Sequence, residues 1–580
     1  MLAFQGEDLS AGGHSMAAGQ DAADPGLAAR AGSPADFRVY STVDQIANAR
    51  FYFVESTAPD SVEQGFDPGG NAPEGLTYVD ADQAVEEIAE FLTPALDPQA
   101  DANLVVMVHG FNTPRDRALE FYAKALDALV SDQNSLFGDP ARRTVCVGYR
   151  WPSERIGSVL GSSLSALPFL PLVILAASAL AILVASWIIV ALLRLLAVWQ
   201  ADLLWRLELA IIMVGFLLIF TIAILALLRA IVYFRDVYRA TNYGVPDLVE
   251  VIRQIDREAV RRLEQAGEKG VTAHRRRIAL SFIGHSMGAL VVTNAIRILS
   301  DVFGKDVIRT FLSGRLRPEM AVREREEEDD EVPGRIGHVF SLMRFVLISP
   351  DIPAEALLAV RANFLASSLR RFREAYLFSN EGDEVLRAIS TSVNYFTFPT
   401  MKRIYGYRLG NTEILASAFG ATPPGPNLLD ILRAGTRTLA QLSGAVTRQE
   451  PTIVARAFTF FDCTDYIDGT PPKGMLTEAL DVKRNDPDAS IPLWEQLKLL
   501  VLYVMGRVDV HGGYFDGAVA QRLIYRLACL GFNQSLVAFG GQDAMVSACA
   551  DHQIRVMLSD RLPMRSHELP ESMALSDNIA

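Results

Sequence analysis

The sequence predicts an α/β chain, a mostly parallel β-sheet with helices on both faces, into which a two-helix apolar hairpin is inserted. Three observations predict it. Short β-branched and aliphatic runs alternate with longer stretches that repeat apolar residues at three- and four-residue spacing, as buried parallel strands and their covering helices do. One such run, Ile278–Ile283, passes through a glycine-flanked turn straight into a helical pattern. Two long uncharged stretches interrupt the series after its fourth strand.

The strand candidates come in order. A first pair covers Phe37–Val43 and Arg50–Val54; then follow Leu104–Val108, Thr144–Tyr149, Ile278–Ile283, Phe345–Ile348, Ala375–Phe378 and Ala455–Phe461. Nearly all their residues are apolar, as strands buried on both faces require. Arg115–Leu129, Pro246–Ala266, Met287–Leu299 and Gly517–Leu530 carry the helical spacing between or after them.

The interruption lies between Thr144–Tyr149 and Pro246. No charged residue occurs from Ile156 to Leu193, and a second uncharged stretch runs from Leu209 to Leu228. Each exceeds what a buried core helix usually keeps free of charge, and each reaches the roughly 20 residues that a bilayer span needs. Trp199 and Trp205 sit in the short polar connection with Arg194, Asp202, Arg206 and Glu208, where interfacial aromatics are common. Arg150, Arg155, Arg229, Arg235 and Arg239 flank the hairpin, so the positive-inside rule puts both flanks in the cytoplasm.

These readings divide the chain. Residues 1–35 form a leader of Gly, Ala, Ser and Asp without the basic start and apolar block of a signal peptide. Residues 36–155 and 235–535 make the two parts of one α/β domain, 156–234 the transmembrane hairpin and 536–580 a C-terminal tail. Insertions fall near 315–335, around the charge run Arg323–Glu331, and at 402–450, where Pro423, Pro424 and Pro426 mark a loop.

Composition excludes several function classes. Of 580 residues 50% are hydrophobic, too many for a disordered chain. With 54 basic against 68 acidic residues, a net charge of −14, there is no broad basic surface for nucleic acid. The four cysteines, Cys146, Cys463, Cys529 and Cys549, lack paired spacing, so neither a zinc site nor a disulfide framework is expected, and no cofactor is implied.

The chemistry is concentrated at Gly284-His285-Ser286-Met287-Gly288, between a strand and a helix. That context makes it a nucleophile elbow, in which a serine on a tight turn stands at the carboxyl end of the sheet with its hydroxyl expected to be exposed. The Met287 N–H, at the start of the following helix, is one expected oxyanion donor. The other is the N–H of Phe111, in His109-Gly110-Phe111-Asn112 directly after the third strand. His109 is expected to brace that loop rather than carry protons.

In this kind of site the acid and then the base follow the nucleophile along the chain. Asp383, after Ala375–Phe378, and Asp351, after Phe345–Ile348, both qualify as the acid; strand count favours Asp383, with Glu381 and Glu384 as weaker rivals. His511, in His511-Gly512-Gly513-Tyr514-Phe515, has small neighbours that leave an imidazole room to reach the serine, whereas His552 and His567 lie in the polar tail.

With these residues in place the sequence resembles a bacterial group of α/β-hydrolases of unknown function. The resemblance rests on His109-Gly110-Phe111-Asn112, Tyr149-Arg150-Trp151-Pro152-Ser153, Gly284-His285-Ser286-Met287-Gly288, Ser349-Pro350-Asp351 and the Asp383 and His511 neighbourhoods, over roughly residues 37–415 and 450–530. It implies esterase-like chemistry without naming an ester. The hairpin and the 402–450 insertion depart from that group.

The expectation is a membrane-anchored serine hydrolase with a cytoplasmic catalytic domain, cleaving ester or thioester bonds through Ser286, His511 and Asp383. Its partners would be the lipid bilayer and a small ester, thioester or lipid-like substrate, the last favoured because the hairpin enters near the edge where α/β sites open. The rival reading is a catalytically silent scaffold or partner-binding module, whose signature would be a damaged triad. A channel is poorly supported, since two spans without polar lining residues offer a solute no path.

Overall fold

The computed structural model describes residues 37–42, 46–59, 75–93, 101–153, 231–266, 278–299, 335–354, 364–369, 371–390, 408–415, 420–422, 458–478 and 491–559, together with 72 and 356. The apolar runs become strands. In chain order these are β1 (Phe37–Thr42), β2 (Ala49–Ser56), β3 (Leu76–Val79), β4 (Asp101–Val108), β5 (Arg142–Arg150), β6 (Ile278–His285), β7 (Arg335–Ile336), β8 (Phe340–Ile348), β9 (Glu374–Ser379), β10 (Glu413–Leu415), β11 (Gly420–Thr422), β12 (Thr459–Asp462), β13 (Ile467–Asp468), β14 (Lys473–Gly474) and β15 (Arg555–Met557).

The main sheet among the described residues has the order β15-β12-β9-β8-β6-β4-β5-β2-β1-β3, with the short β7 also paired to β8. From β2 to β12 every neighbouring pair is parallel. Antiparallel β1, β3 and β15 close the two ends. The chain leaves β4 toward β5 on one side and leaves β6 toward β8 on the other. Such a reversal opens a crevice outside the carboxyl ends of β4 and β6, the place where open α/β sheets bind ligands.

The helices are α1 (Ala81–Leu92), α2 (Arg115–Ser131), α3 (Gln133–Phe137), α4 (Val245–Gln265), α5 (Met287–Leu299), α6 (Phe364–Leu369), α7 (Leu493–Val504), α8 (Ala518–Leu530), α9 (Phe532–Ala538) and α10 (Gln542–Asp551). They form two layers because successive side chains of a strand point to opposite faces. Leu104 and Val106 of β4 and Phe282 of β6 bury against α1, α4 and α5, whereas Val105, Met107 and Ile283 bury against α2 and α8. Each such side chain, removed from water, contributes about 1.5–3 kcal/mol before entropy is counted.

Asp80 caps α1, its carboxylate accepting the N–H groups of Asp82 and Gln83. The helix escaped the sequence reading because an exposed acidic face interrupts its apolar residues. A larger difference lies in the segment read as a C-terminal tail from 536: the end of α9, all of α10 and the strand β15 fall in it, and β15 completes the sheet beside β12. The leader, 1–35, and the charge run near 315–335 lie outside the described residues apart from Arg335. Of the 402–450 insertion, Arg408, a 3-10 turn at Leu409–Asn411 and the β10–β11 hairpin are described. The hairpin expected over 156–234 also lies outside them save for 231–234, which are helical together with 235–239. Among the described residues no helix is long and apolar enough to cross a membrane.

Candidate active site

β6 runs into α5 through one residue, Ser286, whose φ of 53° lies in the left-handed region. A non-glycine residue there carries strain of the order of 1–3 kcal/mol, kept only where the surroundings dictate it. They do so here. Its N–H donates to the Ile348 carbonyl at 3.0 Å, and its own carbonyl accepts from Ala289 at 3.1 Å and from Asp351 at 3.0 Å. The flanking glycines are required by crowding: a Cβ on Gly284 would stand 2.7 Å from the Ala289 Cα, and one on Gly288 would stand 2.4 Å from the carbonyl oxygens of Val108 and His109.

The same close approach brings in the turn after β4, since a Cβ on Gly110 would lie 2.7 Å from the Ser286 Cβ. Pressed between that turn and the loop after β8, Ser286 is only 1% exposed. The exposed hydroxyl expected from the elbow is therefore covered, because two neighbouring strands deliver their loops over it.

Asp383 and His511 meet although they are 128 residues apart in the chain. The Asp383 carboxylate is buried, and its Oδ2 lies 2.6 Å from His511 Nδ1 and accepts the Ser349 hydroxyl at 2.5 Å. Its Oδ1 accepts the Val385 and Leu386 N–H groups, each at 3.1 Å. Asn380 Nδ2 donates to the Val510 carbonyl at 2.8 Å, tying the Asp383 turn to the His511 turn, and Asn411 Nδ2 donates to the Asp383 carbonyl at 3.0 Å. Burial pulls the His511 pKa down, but the charge and hydrogen bond of Asp383, with Asp509 and Asp351 behind, outweigh it and hold it above the ordinary value.

Asp351 is engaged elsewhere. Arg408 Nε lies 3.0 Å from its Oδ1 and the Ser390 hydroxyl donates to its Oδ2 at 3.1 Å, a buried pair that anchors the loop beneath Ser286. Glu381 accepts the Ile491 N–H at 3.0 Å and stands 3.6 Å from Arg387. Glu384, whose pKa burial pushes up to about 7, lies 3.9 Å from the same guanidinium.

His285 lies between Ser286 and His511. Next to Ser286 in the chain, it has its ring 4.9 Å from that of His511 and its Nε2 3.1 Å from the His511 carbonyl. Burial, helped by His511, lowers its pKa to about 3, so the ring is neutral. His109 is likewise held near about 3 by burial; its Nδ1 sits 2.8 Å from the Gly110 carbonyl. It braces the turn.

Phe111 follows Gly110 at the end of β4 and Met287 opens α5, where a first-turn N–H has no helical partner. Neither N–H has an acceptor among the described residues.

Ser349, Asn380, Arg408, Ser153 and Asp236 were not singled out from sequence. Ser349 and Ser153 stood inside quoted motifs and Asp236 between two flanking arginines, but only their contacts give them roles. No protein-family model, curated protein or solved structure matches the chain.

Proposed function

We propose that the chain is a serine hydrolase of the α/β-hydrolase fold, cleaving carboxylic ester or thioester bonds through an acyl-enzyme. The observation that carries this reading is the 2.6 Å contact between His511 Nδ1 and the buried Asp383, at the same sheet edge as a serine held at φ 53°. The order Ser286, Asp383, His511 along the chain also fits that fold. In the proposed reaction His511 Nε2 takes the Ser286 proton as the oxygen attacks the carbonyl carbon, and Asp383 stabilises the resulting imidazolium. The N–H groups of Phe111 and Met287 receive the charge that develops on the carbonyl oxygen. His511 then protonates the leaving alcohol or thiol, and water, deprotonated in turn by His511, releases the acid.

We further propose that the domain is tethered to a membrane by the uncharged stretches between Ile156 and Leu228, with its catalytic part on the cytoplasmic side. Lipid-like esters are then the favoured substrates. Leu493, Trp494, Val501 and Met505 leave apolar surface exposed on and just after α7, which leads to the His511 turn, and Phe234 and Tyr238 do so on the helix that follows the uncharged stretches. Labelling of the full-length chain with a fluorophosphonate, followed by turnover of p-nitrophenyl esters of increasing chain length, tests the reading. Ser286→Ala should abolish both signals; labelling that persists in that variant removes Ser286 as the nucleophile.

A further inference from the structure

Trp151-Pro152-Ser153 takes no direct part in that chemistry, yet it touches the turn carrying Phe111 at several points. The buried Trp151 ring lies parallel to that of His109 at 5.2 Å, and its Nε1–H donates to the His109 carbonyl at 3.0 Å. The buried Ser153 hydroxyl accepts the Thr113 N–H at 3.1 Å and donates to Asp236 Oδ2 at 2.7 Å. The same carboxylate oxygen stands 3.4 Å from the Asn112 N–H, with Arg239 3.6 Å from the other oxygen. Asp236 lies on the helix over 231–239, and Tyr233 of that helix meets the Phe111 ring edge-on at 5.7 Å.

These contacts hold a backbone that would not hold itself. Asn112 has φ 57°, a conformation that a non-glycine residue adopts at a cost. The carbonyls of His109, Gly110 and Phe111 and the N–H groups of Asn112 and Thr113 all have partners, and the Phe111 N–H has none among the described residues.

We propose that Ser153 and Asp236 are positioning residues for the oxyanion site: by holding the Asn112 and Thr113 N–H groups they aim the Phe111 N–H at the substrate oxygen. The inference rests on the serine-hydrolase reading. It also fastens the oxyanion turn to the helix through which the chain returns from its uncharged stretches.

The test uses the full-length chain with p-nitrophenyl butyrate and a trifluoromethyl ketone, which becomes an oxyanion only once bound. An oxyanion donor displaced by about 1 Å loses on the order of 10²-fold in rate. Ser153→Ala and Asp236→Ala, each of which removes an acceptor outright, should therefore each lower kcat by about 10- to 100-fold, leave KM within about twofold, and weaken the ketone by the same factor as kcat. Should Asp236→Ala, which also leaves the buried Arg239 without this carboxylate, fail to fold, Ser153→Ala decides. Folded variants with kcat unchanged overturn the inference, as does a loss of kcat with ketone affinity intact. Turnover that survives in Ser286→Ala would instead remove the hydrolase reading beneath it.

Discussion

Replacing Asp383 by asparagine separates the two candidate acids. In the wild type Asp383 Oδ1 accepts two N–H groups and Oδ2 takes both the His511 Nδ1–H and the Ser349 hydroxyl. An amide at 383 can keep its oxygen on Val385 and Leu386, which puts its NH₂ toward His511. That group only donates, so the imidazole must accept at Nδ1 and carry its proton on Nε2, the nitrogen that has to receive the proton of Ser286. A protease triad loses about 10⁴-fold in kcat when its aspartate is replaced in this way, or about 5 kcal/mol of transition-state stabilisation. The same loss is expected here, measured as kcat on p-nitrophenyl butyrate. Asp351→Asn serves as the comparison: it removes the charge paired with the buried Arg408, which keeps its hydrogen bonds to Tyr233 and the Ser390 carbonyl, so stability should fall by up to about 3–5 kcal/mol while kcat falls far less. If Asp351→Asn proved the more damaging to turnover, with both proteins folded, the assignment of the acid would be refuted.

Because Asp383 raises the His511 pKa, the acid limb of kcat/KM should have its midpoint above the ordinary histidine value of about 6.5, and Asp383→Asn should move it down in whatever activity remains. The sign for stability follows: the raised pKa stabilises the fold below the unfolded value, and that contribution disappears as pH rises through the folded pKa, which denaturant titrations across this range can follow. Gly288→Ala would drive a Cβ to 2.4 Å from two carbonyl oxygens, so a thermal melt should show a loss of at least about 1–3 kcal/mol; an unchanged melt would mean that α5 does not press against the end of β4. For the membrane reading, cysteine at Trp199 should react with an impermeant thiol reagent in intact cells while cysteine at the exposed Gln265 should not; reaction at neither site, with the protein extracted by alkaline carbonate, would remove the two spans.

The parallel sheet and the elbow were legible in sequence because their determinants are local. Val105 and Val106 are both apolar since β4 is covered on both faces, and Gly284, Ser286 and Gly288 sit within five residues of one another, so a strand, a turn and a helix could be read off consecutive positions. The short strand β15 carries no such pattern; three residues long, it is a strand only because β12 offers it an edge. Asp351 and Asp383 both follow apolar strands, and nothing adjacent to either distinguishes them. The difference lies in distant residues: Arg408 claims Asp351, whereas Ser349, Asn380 and Asn411 shape the turn that presents Asp383 to His511. Sequence by itself determined which residues could serve as nucleophile, acid, base and oxyanion donors, since those choices depend on residue type and on the neighbouring strand or helix. Tertiary structure alone decided which of the two carboxylates reaches His511 and what supports the Phe111 turn, because those contacts join segments far apart in the chain, and pairing of that kind is set by where the sheet places its loops.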